Sequence, residues 1–156
     1  MFKNILVPVD GSPSSNLGLK QAIRLAKEQK ATLTVLHVVD ENTVLQAGAM
    51  DGGGYFIDDL IKGLVESGKT IVSRALAAVR KQGLRARSIM VEDIGQPVAD
   101  VIVKEAKKAR ADLIVIGTHG RRGISRLVMG SDAEGVVRLA SVPVVLVRLP
   151  AARRKK

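Results

Sequence analysis

Five strand-sized apolar runs alternate with four stretches whose apolar residues recur every three or four positions, and this alternation restricts the fold more tightly than anything else in the chain. The first run, Ile5-Leu6-Val7-Pro8-Val9, stops at Asp10-Gly11-Ser12-Pro13. Ser12 or Ser14 then suits a helix N-cap and Pro13 a first helical position. Leu19, Ala22, Ile23 and Ala26 follow at helical spacing. Leu33 to Val39 reads as the second strand, ending at Asp40, and the glycine-rich stretch 41–56 as a mobile loop. A long stripe from Ile57 to Val79, broken only at Gly68, predicts an amphipathic helix of about six turns. Gly83 closes it, and Leu84–Val91 reads as the third strand. Gly95-Gln96-Pro97 opens a third helix. Leu113–Ile116 is a fully apolar strand, Ser131 to about Ala140 a short helix, and Val142–Val147 the last strand.

Strands separated by helices imply parallel pairing through right-handed crossovers, and all-apolar strands imply a sheet covered on both faces. The expected architecture is α/β: a five-stranded, doubly wound parallel sheet of Rossmann-like type, order 3-2-1-4-5, with helices on both faces. At 156 residues one domain is expected, spanning 1–148, with 149–156 as a basic tail. In such sheets ligands sit beyond the carboxyl ends of the strands, at the point where strand order reverses. Those ends are Asp10, Val38–Asp40 and Gly117–Gly120.

Composition removes several classes of function. There is no Cys, which excludes thiol nucleophiles, iron–sulfur clusters and Cys-based zinc sites. With His37 and His119 the only histidines, no metal site is expected. No hydrolytic constellation is visible either, so no catalytic residue is assigned and slow turnover of a bound ligand is the most activity expected. Aromatics are 2% of the chain, which argues against platforms that stack single-stranded bases. No apolar run approaches the roughly 18 residues of a membrane span, and the N-terminus lacks a signal-peptide pattern, so the expected protein is cytoplasmic with no membrane partner. The net charge of +10 suits polyanionic ligands. Nucleic acid is not the expected partner; the route left open to it is the tail cluster Arg153, Arg154, Lys155 and Lys156.

Two motifs compete for a phosphate. Gly117-Thr118-His119-Gly120, nine residues, then Gly130-Ser131 runs from a strand end to a helix start. Glycines let backbone N–H groups approach an anion, and a helix start adds unpaired donors and the positive end of its dipole. Ser131 adds a hydroxyl, and His119 lies inside this cradle as a possible phosphate donor or as a plain loop residue. Gly63-Leu-Val-Glu-Ser-Gly68-Lys69-Thr70 matches the P-loop pattern letter for letter. A P-loop, however, needs a strand before it and a helix beginning at it, and here a helical stripe runs straight across the match. His37, within the second strand, reads as a satisfied core histidine.

The chain resembles the universal stress protein family. The resemblance rests on KNILVPVDGS at the start, LHVVD after the second strand, GQPVADVI before the third helix, DLIVIGTHGRRGISRLVMGS and SVPVVLV. It covers about 1–148 and implies a nucleotide-responsive regulator of stress tolerance that binds ATP, with ADP and AMP as alternatives and Mg²⁺ as a possible companion. By resemblance Asp10 lies near the ribose, Pro8 and Val38 near the adenine, Gly117, Gly120, Gly130 and Ser131 around the phosphates, and Met129 in contact with the nucleotide. An Asp at a strand end is chemically apt, since it accepts from two ribose hydroxyls. The family also implies a homodimer through strand 142–147, whose apolar edge invites pairing, and a protein partner not yet identified. The alternatives are an interaction module that binds no nucleotide, a nucleic-acid-associated protein acting through the tail, and a P-loop NTPase through 63–70.

One departure stands out. Asp132 and Ala133 follow Ser131, where family members that bind ATP often carry Val and then a small or hydroxylated residue. A carboxylate ~6 Å from a phosphate repels it by roughly 3 kcal/mol per unit charge at an effective dielectric of ~20. A helix dipole returns only about 0.3–1 kcal/mol. Asp132 therefore weakens binding unless it points away, pairs with Arg121, Arg122 or Arg126, or ligates Mg²⁺.

Overall fold

The computed structural model describes residues 1–41, 57–93, 95–119 and 129–150. The elements run β1 (Asn4–Pro8), α1 (Pro13–Gln29), β2 (Thr32–Asp40), α2 (Ile57–Arg80), β3 (Ala86–Asp93), α3 (Val98–Lys108), β4 (Leu113–Gly117), α4 (Ser131–Leu139) and β5 (Val144–Val147). All strand pairs are parallel, and the order across the sheet is β3-β2-β1-β4-β5, as the alternation predicts.

The period of two along each strand splits the core into two layers. Ile5, Val7, Leu33, Val35, Leu113 and Val115 face Leu19, Ala22 and Ala26 of α1 and Ala75 and Val79 of α2. Leu6, Leu36, Ile114 and Ile116 face Ile102 and Ala106 of α3 and Ala133 and Val136 of α4. The central strand β1 is buried on both faces, which is why its interior reads as unbroken Ile-Leu-Val.

Local chemistry sets the boundaries. Ser12 is the N-cap of α1, its hydroxyl accepting from the Ser15 amide at 3.1 Å, with Pro13 at the first helical position. Strand β5 begins two residues later than the apolar run, because Pro143 has no N–H to give; its carbonyl still accepts from Ile114 at 3.0 Å. The stripe from Ile57 is one unbroken helix through Gly68.

That helix corrects the P-loop alternative. Gly63 to Thr70 lie inside α2, which begins six residues before them at Ile57, so the match is continuous helix rather than the strand-to-helix loop that cradles a phosphate. Lys69 is exposed and paired with Glu66 at 2.6 Å, and the Glu66 hydrogen bond and charge hold its ammonium above the usual lysine range. The Thr70 hydroxyl donates back to the Glu66 carbonyl at 3.1 Å. Gly68 is present for packing: a Cβ there would stand 2.7 Å from Cδ2 of His37, so α2 crosses β2 closely only without a side chain at this position. His37 is buried, and the Val9 carbonyl accepts from its Nδ1 at 2.7 Å, which makes it the satisfied core histidine expected.

Two other glycines permit close approaches. A Cβ on Gly117 would lie 2.6–2.8 Å from Oγ, C and O of Ser14, so the first turn of α1 rests directly on the end of β4. A Cβ on Gly135 would lie 2.6 Å from the Cβ of Ala99, where α4 crosses α3.

Candidate functional site

A cavity of about 530 Å³ opens at the carboxyl ends of β1 and β4, where the strand order reverses. Each wall follows from the topology. Strand β1 delivers Pro8 and, just beyond it, Val9 and Asp10; β2 delivers Val38 and Asp40; β4 delivers Gly117, followed by Thr118 and His119. The start of α4 brings Gly130, Ser131 and Asp132 across from them. The volume falls in the range of small-molecule sites, and the walls combine an apolar base with a few convergent polar groups.

Most of the residues singled out from the sequence therefore meet in one place: Pro8, Asp10, Val38, Gly117, His119, Gly130 and Ser131 all line the cavity. Met129 is not among the lining residues and packs instead against the apolar cluster of α3 and α4. Gly120 lies outside the described residues, as do Arg121, Arg122 and Arg126, the stretch 42–56 and the tail from 151. Sequence reasoning missed Leu64, Val98 and Ile102, which read as core positions of their helices yet close the apolar side of the cavity. It also missed Thr118, whose only signal was its place between Gly117 and His119.

The polar groups are held by the turns that carry them. One carboxylate oxygen of Asp10 accepts from the Ser12 amide at 2.9 Å, and the Asp10 amide donates to the Ser15 hydroxyl at 3.3 Å. Gly11 sits at φ +81°, a left-handed turn that glycine adopts without strain. Asp10 thus braces the turn before α1 while standing on the cavity wall. Thr118 ties three elements together: its amide donates to Val147 at 2.9 Å, its carbonyl accepts from Gly130 at 2.8 Å, and its hydroxyl lies 2.9 Å from Nδ1 of His119. The Thr118–Gly130 bond pins the start of α4 beside the end of β4.

Two features bear on what the cavity could hold. The Nε2 atom of His119 is buried and has no hydrogen-bond partner among the described residues. A buried polar atom left unpaired costs roughly 1–3 kcal/mol, so a ligand that bonds it recovers that loss. Gly130 is the N-cap of α4 and has no side chain to cap it, and Ser131 and Asp132 of the first turn stand on the cavity wall, where the positive end of the helix dipole lies. Against these stand Asp10, Asp40 and Asp132, three carboxylates on the cavity wall. Asp132, the residue that departs from pattern, is thus among the residues that line the cavity. Among the described residues no cluster of His, Asp or Glu could hold a metal ion, and no helix is long and apolar enough to cross a membrane.

Comparison with known proteins agrees with this architecture. The model of the universal stress protein family matches residues 1–148. Universal stress protein MJ0531 of Methanocaldococcus jannaschii is 36% identical over 150 residues, covering 96% of this chain and 84% of that one. Among solved structures, hypothetical protein MJ0577 superposes with a TM-score of 0.81 at 26% identity, over 97% of this chain and 99% of the other. The universal stress protein of Archaeoglobus fulgidus in complex with dAMP superposes with a TM-score of 0.68 at 24% identity, over 94% and 98% of the two chains.

Proposed function

Because the chain belongs to the universal stress protein family, we propose that the cavity at its strand reversal binds an adenine nucleotide, ATP in the first instance, and that occupancy regulates the protein rather than feeding a reaction. The observation that carries this reading is the buried Nε2 of His119, which has no hydrogen-bond partner among the described residues, on the cavity wall beside the start of α4. A ligand in the cavity that bonds this atom would satisfy it, beside the start of a helix, where anions are favoured. The remaining roles are those the family resemblance implies, carried by residues that line the cavity: Pro8 and Val38 beside the base, Asp10 at the ribose, and Gly117, Gly130 and Ser131 with His119 at the phosphates. The Archaeoglobus fulgidus protein of the same fold was solved in complex with dAMP, which supports a nucleotide as the class of ligand and leaves the phosphate count to this chain's own residues.

The test is a thermal-shift titration with ATP, ADP, AMP and GTP, with and without Mg²⁺. Ligand at 100 times its Kd stabilises by about 2.7 kcal/mol. For a chain of this size that is a shift of roughly 5–10 °C. ATP is expected to give it, more strongly with Mg²⁺, since a chelated cation offsets the phosphate charge facing Asp10, Asp40 and Asp132. AMP should respond little to Mg²⁺. Gly130→Val places a side chain at the cavity wall and should abolish the shift, whereas Lys69→Ala, out on α2, should leave it intact. No shift with any nucleotide would sink the reading and favour an interaction module without a nucleotide.

An exposed apolar edge favours a second element of the proposal, a homodimer through β5. Val145, Leu146 and Leu149 are 37%, 40% and 38% exposed on this edge strand and just past it, with Val137 and Leu139 of α4 exposed at 45% and 44%. An unpaired apolar strand edge invites a second copy. Light scattering on the full chain is expected to give twice the monomer mass, and Leu146→Lys to give the monomer. A monomeric parent at micromolar concentration would refute this element alone.

A further inference from the structure

The fold gathers cations at a place that linear sequence hides. Parallel strands with helices running back between them put every strand start and every helix end at one edge, opposite the cavity. Lys3 stands immediately before β1, Lys30 two residues before β2, Arg85 immediately before β3 and Arg110 three residues before β4. All four are exposed. The sheet order β3-β2-β1-β4 sets them side by side as Arg85, Lys30, Lys3, Arg110. Backbone bonds carry the ladder into these segments: Thr32 donates to Lys3 at 2.8 Å, Leu33 to Arg85 at 3.0 Å and Asp112 to Asn4 at 2.9 Å. At a strand spacing of ~4.8 Å the row is about 14 Å long. Exposed Arg80, Lys81 and Lys107 at the helix ends lie behind it.

Three carboxylates, Asp112, Glu105 and Glu28, stand near this edge and are outnumbered by its cations. Both oxygens of Asp112 accept backbone amides, Lys3 at 2.7 Å and Asn4 at 3.0 Å. Glu105 is buried against Lys108 at 2.6 Å, and Glu28 pairs with Arg24 at 3.3 Å. Among the described residues none of the four cations in the row has an ion-pair partner. Helix dipoles account for basic residues at helix ends, but Lys3 and Arg85 stand directly before strands. A second observation comes from the backbone. Lys30 and Arg110, at φ 57° and 51°, are the non-glycine residues with left-handed backbone among the described residues. Glycine is the unstrained choice after a helix, so both positions bear strain to keep a long cationic side chain.

We propose that this edge, fronted by Arg85, Lys30, Lys3 and Arg110, is a sequence-independent docking face for the phosphate backbone of duplex DNA. A duplex presents one negative charge per ~1.7 Å of axis, so a 14 Å row faces about eight phosphates. The row has no aromatic side chain to stack on single-stranded bases. Protein interfaces deplete lysine and build an apolar core, and membrane docking needs apolar anchors; here Met1 is the large apolar side chain beside the row. Recognition of duplex RNA spans ~16 base pairs and two minor grooves, beyond the reach of this row.

The test is fluorescence anisotropy with a labelled 20-base-pair DNA duplex and the full chain, between 50 and 200 mM NaCl. Binding is expected to weaken with salt with a log–log slope of about −4, each phosphate contact contributing roughly 0.9. The double variant Lys30→Gly, Arg110→Gly should lower the slope to about −2 while raising the melting temperature, so lost binding cannot be lost folding. The same change should persist when 153–156 are deleted. Unaltered binding by the double variant would overturn the proposal. So would complete loss on deleting the tail alone, or tighter binding to phosphatidylserine vesicles or to duplex RNA of equal length.

Discussion

Gly117→Ala is expected to lower the melting temperature by roughly 10 °C and to abolish the nucleotide-induced shift in the surviving folded protein. The new methyl group would stand 2.6–2.8 Å from three atoms of Ser14, two of them backbone. Contacts that short do not exist in folded proteins, so either the first turn of α1 or the end of β4 has to move. Overpacking of a well-packed site costs about 1–3 kcal/mol, and a backbone neighbour that cannot rotate aside puts this case at the upper end. At 2–4 °C per kcal/mol for chains of this size, the shift follows. Binding is lost too, because Thr118 and His119 follow Gly117 directly and α1 carries the Ser12 and Ser15 contacts that set Asp10. Differential scanning calorimetry with and without ATP measures both. A melting temperature within 2 °C of the parent would show that the end of β4 accommodates the methyl group and that its glycine serves the ligand alone.

Two glycines on one helix should give opposite signs. Gly63 and Gly68 both lie inside α2, and alanine at either should gain up to about 1 kcal/mol of helix propensity. Gly63 is exposed and a Cβ there meets nothing within 4 Å, so Gly63→Ala should raise the melting temperature by roughly 2–4 °C. At Gly68 the same methyl group meets Cδ2 and Nε2 of His37 at 2.7 and 2.9 Å. The ring cannot swing away without breaking its 2.7 Å bond to the Val9 carbonyl. Gly68→Ala should therefore lose about 1–2 kcal/mol net and lower the melting temperature by roughly 5 °C. Because His37 also lines the cavity, nucleotide affinity should fall with it, an effect Gly63→Ala should not share. Equal shifts of the same sign from both variants would mean that the helix does not press on β2 at Gly68.

The glycine pair also shows what sequence reading could and could not reach. Five strands and their helices were legible because a two-sided sheet forces apolar runs and its covering helices force a 3.6-residue stripe. The P-loop match at 63–70 was correctly subordinated to that stripe. The reason for Gly68 was not legible, since its partner His37 lies in a different element. The same holds at the cavity. Asp10, Val38, Gly117 and His119 could be named because they end strands, where ligands of this fold collect. Leu64, Val98 and Ile102 could not, because a residue that closes an apolar cavity and one that fills a core look alike in a periodicity. The row of Lys3, Lys30, Arg85 and Arg110 is scattered over more than a hundred positions, and only the strand order turns it into a surface.

The crossing of α4 over α3 carries a mechanical consequence. Helix α4 has nine residues and touches Ala99 at Gly135, its middle residue. A short stiff rod pressed against a neighbour at its centre behaves as a lever about that fulcrum. One arm ends in Ser131 on the wall of the cavity, the other in Leu139 beside the exposed strand edge. Both arms belong to one rigid element, so a molecule seated in the cleft and a second copy at β5 would contact the two ends of one beam.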